Sequence, residues 1–106
     1  MLYLVNALSL NMFLISDEIT LKIKKLTLEE ARSLVKGGFF SAVGHPDTAR
    51  LLTGLLGVEI PFNRTGILLT GDDEALVAQY RGPRLPEGAT ELPEGAAFEF
   101  YLITRE

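Results

Sequence analysis

The chain opens on an uninterrupted apolar run, MLYLV, that stops at Asn6. A short run without alternation predicts a strand covered on both faces, near the middle of a sheet. From 19 to 25 the pattern alternates, with Ile19, Leu21 and Ile23 set against Thr20, Lys22 and Lys24. That period of two predicts a strand with one wet face, toward a sheet edge. At Thr27 the period changes: Thr27 and Glu30 have the spacing of a capping box, and Leu28, Ala31, Leu34 and Val35 follow at helical intervals until Gly37-Gly38.

A second short apolar run covers 39–43, followed at once by Gly44-His45-Pro46 and a segment whose Ala49, Leu52, Leu55 and Leu56 share one helical face. The pattern predicts strand, tight turn, helix. Pro46 suits the first helical turn and Gly57 the position just past the end, which puts His45 at or beside the N-cap. Farther on, Gly66-Ile-Leu-Leu-Thr, the turn Gly71-Asp72-Asp73 and the run Glu74 to Tyr80 predict a hairpin. Residues 81–95 hold three of the five prolines and predict a loop, and Phe98 to Thr104 a last strand. The order β, β, α, β, α, β, β, β predicts one domain over 1–106, a mixed sheet of five or six strands with two helices packed on it, in the α/β or α+β class.

Composition narrows the chemistry. With 106 residues, 47% hydrophobic and 23% charged, the chain has the makings of one packed core. It has no Cys and one His, which removes disulfides, thiolate ligands and cysteine nucleophiles, argues against a protein-built metal site, and is compatible with a reducing cytoplasm. The apolar opening is broken by Asn6, Ser9 and Asn11 and has no basic flank, so it reads as neither signal peptide nor membrane span. A net charge of −4 disfavours duplex DNA, which needs a broad basic face. A small anionic ligand needs only a few local cations, and Arg64, Arg81 and Arg84 supply them.

His45 is the leading candidate for chemistry. The N-terminus of a helix attracts an anion through its unpaired N–H groups and dipole. A phosphate bound there favours the protonated imidazole, which can donate a proton to a departing oxygen. A histidine in this place also serves simply as a cap. Arg84 and Glu87, in RLPEG, sit on a proline-stiffened loop; the Arg fork matches phosphate oxygens, although an Arg–Glu pair in solvent is an equally ordinary arrangement. Asn6 and Ser9 follow the first strand, where open sheets often build sites. Phe39, Phe40 and Phe62 read as core, and Lys22, Lys24 and Lys25 as a solvated strand face. Neither a GxGxxG nor a P-loop is present, and nucleotide-cofactor and serine-hydrolase chemistry have no motif behind them.

Three blocks, MLYLVNALSL, LTLEEARSLVKGGFFSAVGHPDTARLLTGLLGVEIPFNR and RLPEG, in this order and at this length, resemble the small viral and prophage ring nucleases, the anti-CRISPR proteins directed against type III systems. The resemblance implies an α/β sandwich that forms a homodimer, encloses cyclic tetra-adenylate between its protomers and cleaves it without metal or other cofactor. Carried over by position, it implies catalytic roles for His45, Arg84 and Glu87 and substrate contacts at Asn6 and Ser9; Arg64, one of the local cations, is counted with them as a substrate-binding residue. A ribose 2′-hydroxyl would attack its adjacent phosphate, Arg84 would stabilise the developing charge, and His45 would protonate the departing 5′-oxygen, giving linear di-adenylates. Glu87 would orient Arg84 or assist the nucleophile.

Two features depart from the family pattern or blur it. That pattern fixes His45, Thr48 and Ala49, whereas Asp47 adds a carboxylate that either points outward or tunes the histidine. A second LPEG string offers Glu94 as a rival to Glu87; the intact RLPEG favours Glu87. Two other classes stay open at this level: a module that sequesters the cyclic nucleotide without cutting it, and a viral interaction protein with no nucleotide ligand.

Overall fold

In the computed structural model, which describes residues 1–106, the apolar runs assemble into one five-stranded mixed sheet. Its strands are β1 (Leu2–Val5), β2 (Leu21–Leu26), β3 (Phe40–Ala42), β4 (Glu74–Arg81) and β5 (Ala97–Arg105), in the order β2-β5-β4-β1-β3. Two helices, α1 (Leu28–Lys36) and α2 (Pro46–Leu56), complete an α+β fold. No helix is long and apolar enough to cross a membrane.

Local chemistry sets the helix ends. The Thr27 hydroxyl accepts from the Glu30 amide at 3.1 Å while the Glu30 carboxylate accepts from the Thr27 amide at 3.0 Å, the reciprocal bonds of a capping box. Pro46 occupies the first turn of α2, and Gly57 closes it in the left-handed region at φ 74°. One face of the sheet packs against both helices through Leu4, Val35, Leu52, Leu56, Leu76 and Phe100. The opposite face is covered by chain segments around Phe13 and Leu69, which meet Val5, Ala75, Val77 and Ile103.

The hairpin expected between 66–70 and 74–80 does not form. Both edges of β4 are taken, by β1 in parallel and β5 antiparallel, which leaves no edge for a further partner. The 66–70 segment lies over the sheet instead; Leu69 is 1% exposed and its amide donates to the Met12 carbonyl at 2.7 Å. The sheet is therefore five-stranded. Phe40 and Phe62, read as core, are 40% and 54% exposed: Phe40 opens the outer strand β3 and Phe62 lies on the segment beside it, bridged to Val43, both at the sheet margin; Phe40 meets Tyr3 edge-on with ring centroids 5.5 Å apart. Ile23, on the other outer strand, is likewise exposed.

Register decides what the fold can present. β1 runs parallel to β3, with Val5 opposite Ala42, and to β4, with Val5 opposite Val77. The carboxyl ends of three strands thus point the same way. β4 continues past Val77 to Arg81 on β5 alone, so its last residues overhang the end of β1.

Candidate active site

The carboxyl ends of β1, β3 and β4 enclose an open cleft of about 740 Å³. Asn6 enters it from just beyond β1, and His45, Asp47 and Thr48 from the turn after β3 and the first turn of α2. Tyr80 comes from the overhanging end of β4, and Arg84 and Glu87 from the loop that follows. Outside the carboxyl ends of parallel strands is where open sheets bind ligands.

His45 is the N-cap of α2, in extended backbone at φ −133° and ψ 120°. Its Nδ1 accepts from the Thr48 amide at 3.2 Å and lies 3.2 Å from the Thr48 hydroxyl. An accepting Nδ1 leaves the ring proton of the neutral imidazole on Nε2, and no hydrogen bond of the fold uses Nε2. Asn6 acts on the same turn from the other side: its Oδ1 accepts from the Gly44 amide at 3.2 Å.

Arg84 and Glu87 are exposed, and none of the five ion pairs of the chain involves either of them. The mutual Arg–Glu pair allowed by the sequence is absent, and both charges are open to a ligand in the cleft. Of the two LPEG strings, Glu87 lines the cleft and Glu94 does not.

Three sequence candidates fall outside this lining. Ser9 caps the short 3-10 turn Leu10–Met12 by accepting from the Asn11 amide at 3.2 Å. Arg64 follows a segment held along β3, where the Asn63 amide donates to the Val43 carbonyl at 2.9 Å. Its aliphatic stem covers Gly44, so that a Cβ on Gly44 would lie 3.3 Å from the Arg64 Cγ. Arg64 thus packs against the residue that precedes His45 without lining the cleft. Arg81 is not a free cation: its Nε donates to Glu99 at 2.6 Å, and Lys25 bonds the other carboxylate oxygen at 2.8 Å. These two cations, Lys25 foremost, hold the Glu99 carboxyl down at about 2.

Asp47 neither points outward nor reaches the imidazole. It is buried, and its Oδ2 accepts from the Gly88 amide at 2.9 Å while Oδ1 accepts from Arg50 at 3.1 Å. Tyr80 and Gly82 were not legible as site residues. The Tyr80 hydroxyl donates to the Pro83 carbonyl, and Gly82 sits at φ 148° with the Ala96 side chain against it. The i, i+3 spacing of Asp47 and Arg50 is a signal for a helical pair, but not for its third partner in the loop. Nowhere are three or more His, Cys, Asp or Glu side chains grouped to hold a metal.

A family model described as STIV B116-like matches residues 2–101. Protein 26 of Sulfolobus islandicus filamentous virus (isolate Iceland/Hveragerdi) is 42% identical over 89 residues, covering 83% of this chain and 74% of its own. The protein YddF of Bacillus subtilis (strain 168) is 31% identical over 102 residues, covering 91% and 94%. Among solved structures, B116 of Sulfolobus turreted icosahedral virus superposes with a TM-score of 0.79 at 29% identity, over 97% of each chain.

Proposed function

The chain belongs to the STIV B116-like family, and we propose that this member is a ring nuclease that opens cyclic tetra-adenylate into linear di-adenylates and so silences type III CRISPR signalling. The observation that carries the reading is the convergence of Asn6, His45, Arg84 and Glu87, from three separate stretches of chain, on one cleft. A neutral hydrogen-bonding group, a proton donor, a planar cation and a carboxylate are the groups needed to cleave a phosphodiester with its own 2′-hydroxyl.

In this mechanism the ribose 2′-oxygen attacks phosphorus in line with the 5′-oxygen. The P–O2′ bond forms as the 2′-hydroxyl gives up its proton to Glu87 or to water, the P–O5′ bond breaks, and His45, as the imidazolium favoured by the bound phosphate, delivers a proton from Nε2 to the leaving oxygen. The Thr48 hydroxyl, within 3.2 Å of Nδ1, can donate to the neutral ring and turn to accept from the protonated one, whose Nδ1–H can no longer accept from the Thr48 amide, so the hydroxyl is the contact that orients the acid form. Arg84 meets the charge that gathers on the phosphoryl oxygens, and Glu87 orients Arg84 or the attacking hydroxyl. Proton transfer of this kind contributes about 10²–10⁴-fold to the rate. Two cuts at opposite phosphates are needed to give two di-adenylates, so the reading includes a two-fold homodimer with one cleft per protomer.

The test is incubation of the pure protein with cyclic tetra-adenylate in EDTA. Linear di-adenylates ending in a 2′,3′-cyclic phosphate, or its hydrolysed form, are the expected products, and an intact ring after long incubation overturns the reading. One observation favours a second: Nδ1 of His45 is already committed to capping α2, which is all a non-catalytic binding site would ask of it. A sequestering protein would bind the ring, raise its own Tm with it and leave it whole.

A further inference from the structure

We propose that Asp47 and Arg50 are positioning residues, a clasp that holds the Arg84–Ala89 loop against the first turn of α2 and thereby sets Arg84 and Glu87 relative to His45. The inference rests on the ring-cleavage reading for its functional consequence, though not for its geometry. Asp47 is buried, 11% exposed at its side chain, and stands two residues after the cap. One carboxylate oxygen accepts from Gly88 and the other from Arg50, whose same nitrogen, Nη1, also donates to the Ala89 carbonyl at 3.1 Å. Two consecutive loop residues, one through its N–H and one through its C=O, are therefore tied to one ion pair on the helix.

A helical i, i+3 pair made only to support α2 would need neither loop contact. The loop in turn is shaped for the clasp. Its Ala89 amide closes a turn onto the Pro86 carbonyl at 3.1 Å, and Gly88 sits in the left-handed region at φ 76° with nothing within 4 Å of where a Cβ would lie. The glycine at 88 thus serves its backbone conformation rather than a lack of space, and that conformation goes with an amide aimed at Asp47. Glu87 is bonded directly to the clamped residue, and Arg84 lies on the proline-stiffened run just before it. Hydrogen bonds to a carboxylate are stronger than neutral ones and, when sheltered, less weakened by salt. Beside these bonds the stretch is held by the buried Ala89 side chain and by the contacts of Tyr80 and Gly82 at the root of the loop.

The experiment compares wild type, Asp47→Ala, Asp47→Asn and Arg50→Ala. Amide hydrogen exchange at Gly88 and Ala89 is read in the ligand-free proteins, and cleavage of cyclic tetra-adenylate in kinetics that separate kcat from KM. Asp47→Ala is expected to speed Gly88 exchange about tenfold or more. It should lower kcat by roughly 10- to 100-fold, as misplaced catalytic groups do, while KM stays within about threefold. Asp47→Asn keeps an oxygen for the Gly88 amide and should restore most of kcat; Arg50→Ala should fall between. Unchanged Gly88 exchange in both Asp47→Ala and Arg50→Ala overturns the clasp, as does an unchanged kcat in an active enzyme. Should Asp47→Ala not fold, Arg50→Ala alone decides, because it removes a half-exposed side chain. If the wild type leaves the ring intact, the ring-cleavage reading fails with it, while Gly88 exchange still decides whether the clasp fixes the loop.

Discussion

The Asn6 carboxamide reaches across 38 residues of sequence to accept the Gly44 amide at 3.2 Å, which joins the end of β1 to the turn that carries His45. The bond is possible because β1 and β3 are parallel neighbours with Val5 opposite Ala42. Asn6→Ala leaves the half-buried Gly44 N–H without its acceptor and should cost about 1 kcal/mol of stability. Asn6→Asp, which keeps an oxygen there, should cost less. Urea denaturation of the three proteins checks the order, and equal midpoints for Asn6→Ala and wild type would contradict it.

His45 has two separable duties. As N-cap it accepts the Thr48 amide, and as a proton donor it would act from Nε2. His45→Ala should lose the cap, about 1 kcal/mol, together with ring cleavage. His45→Asn supplies a good capping oxygen and should keep the stability while still losing cleavage by about 10²-fold or more. Chemical denaturation alongside a cleavage assay separates the two; full activity in His45→Asn would remove the acid role.

Gly82 stands where β4 turns into the loop. Its φ of 148° lies in the region that L side chains rarely adopt, and an added Cβ would fall 2.7 Å from the Ala96 Cβ and 3.0 Å from the Ala96 Cα. Gly82→Ala should therefore destabilise by more than about 1 kcal/mol. Combining it with Ala96→Gly should recover only part, since the Cβ–Cβ contact is relieved but the approach to the residue 96 Cα and the backbone strain are not. Denaturation midpoints of the single and double variants measure this, and complete recovery would show that φ carries no cost.

Lys25, Glu99 and Arg81 link three adjacent strands, and Glu99 is held at about 2 against an ordinary carboxylate value of 4.5. A carboxyl with a depressed folded value contributes stability that is complete above the ordinary value. That contribution is lost as the pH falls from about 4.5 through about 2. The Tm of wild type should thus fall more than that of Glu99→Gln between about pH 6 and pH 2.5. Both cations are more than half exposed, so the difference should be small and shrink in high salt. Thermal melts at the two pH values check it; parallel losses would mean that the pair adds nothing to stability.

The sequence by itself determined the helices and their ends, whereas the single wet face read for β2 does not hold, Ile23 being 59% exposed. The helix ends rest on interactions within a few residues, such as the Thr27–Glu30 capping box and the left-handed Gly57. It also placed His45 at the start of α2 for the same reason. Tertiary structure decided which strand edges pair, and so rejected the 66–70 hairpin: a local pattern does not record that β1 and β5 already occupy both sides of β4. The site followed the same division. His45, Arg84, Glu87 and Asn6 were visible as residue types, but only the shared direction of β1, β3 and β4 brings them to one cleft. Arg64 and Arg81 are set apart by partners that no spacing reveals, Ser9 by a cap bond to the Asn11 amide only two residues on, and Asp47 found its partner 41 residues away, in the Gly88 amide. Short-range hydrogen bonds write themselves into sequence order; long-range ones depend on strand register and loop path, which the hydrophobic pattern leaves free.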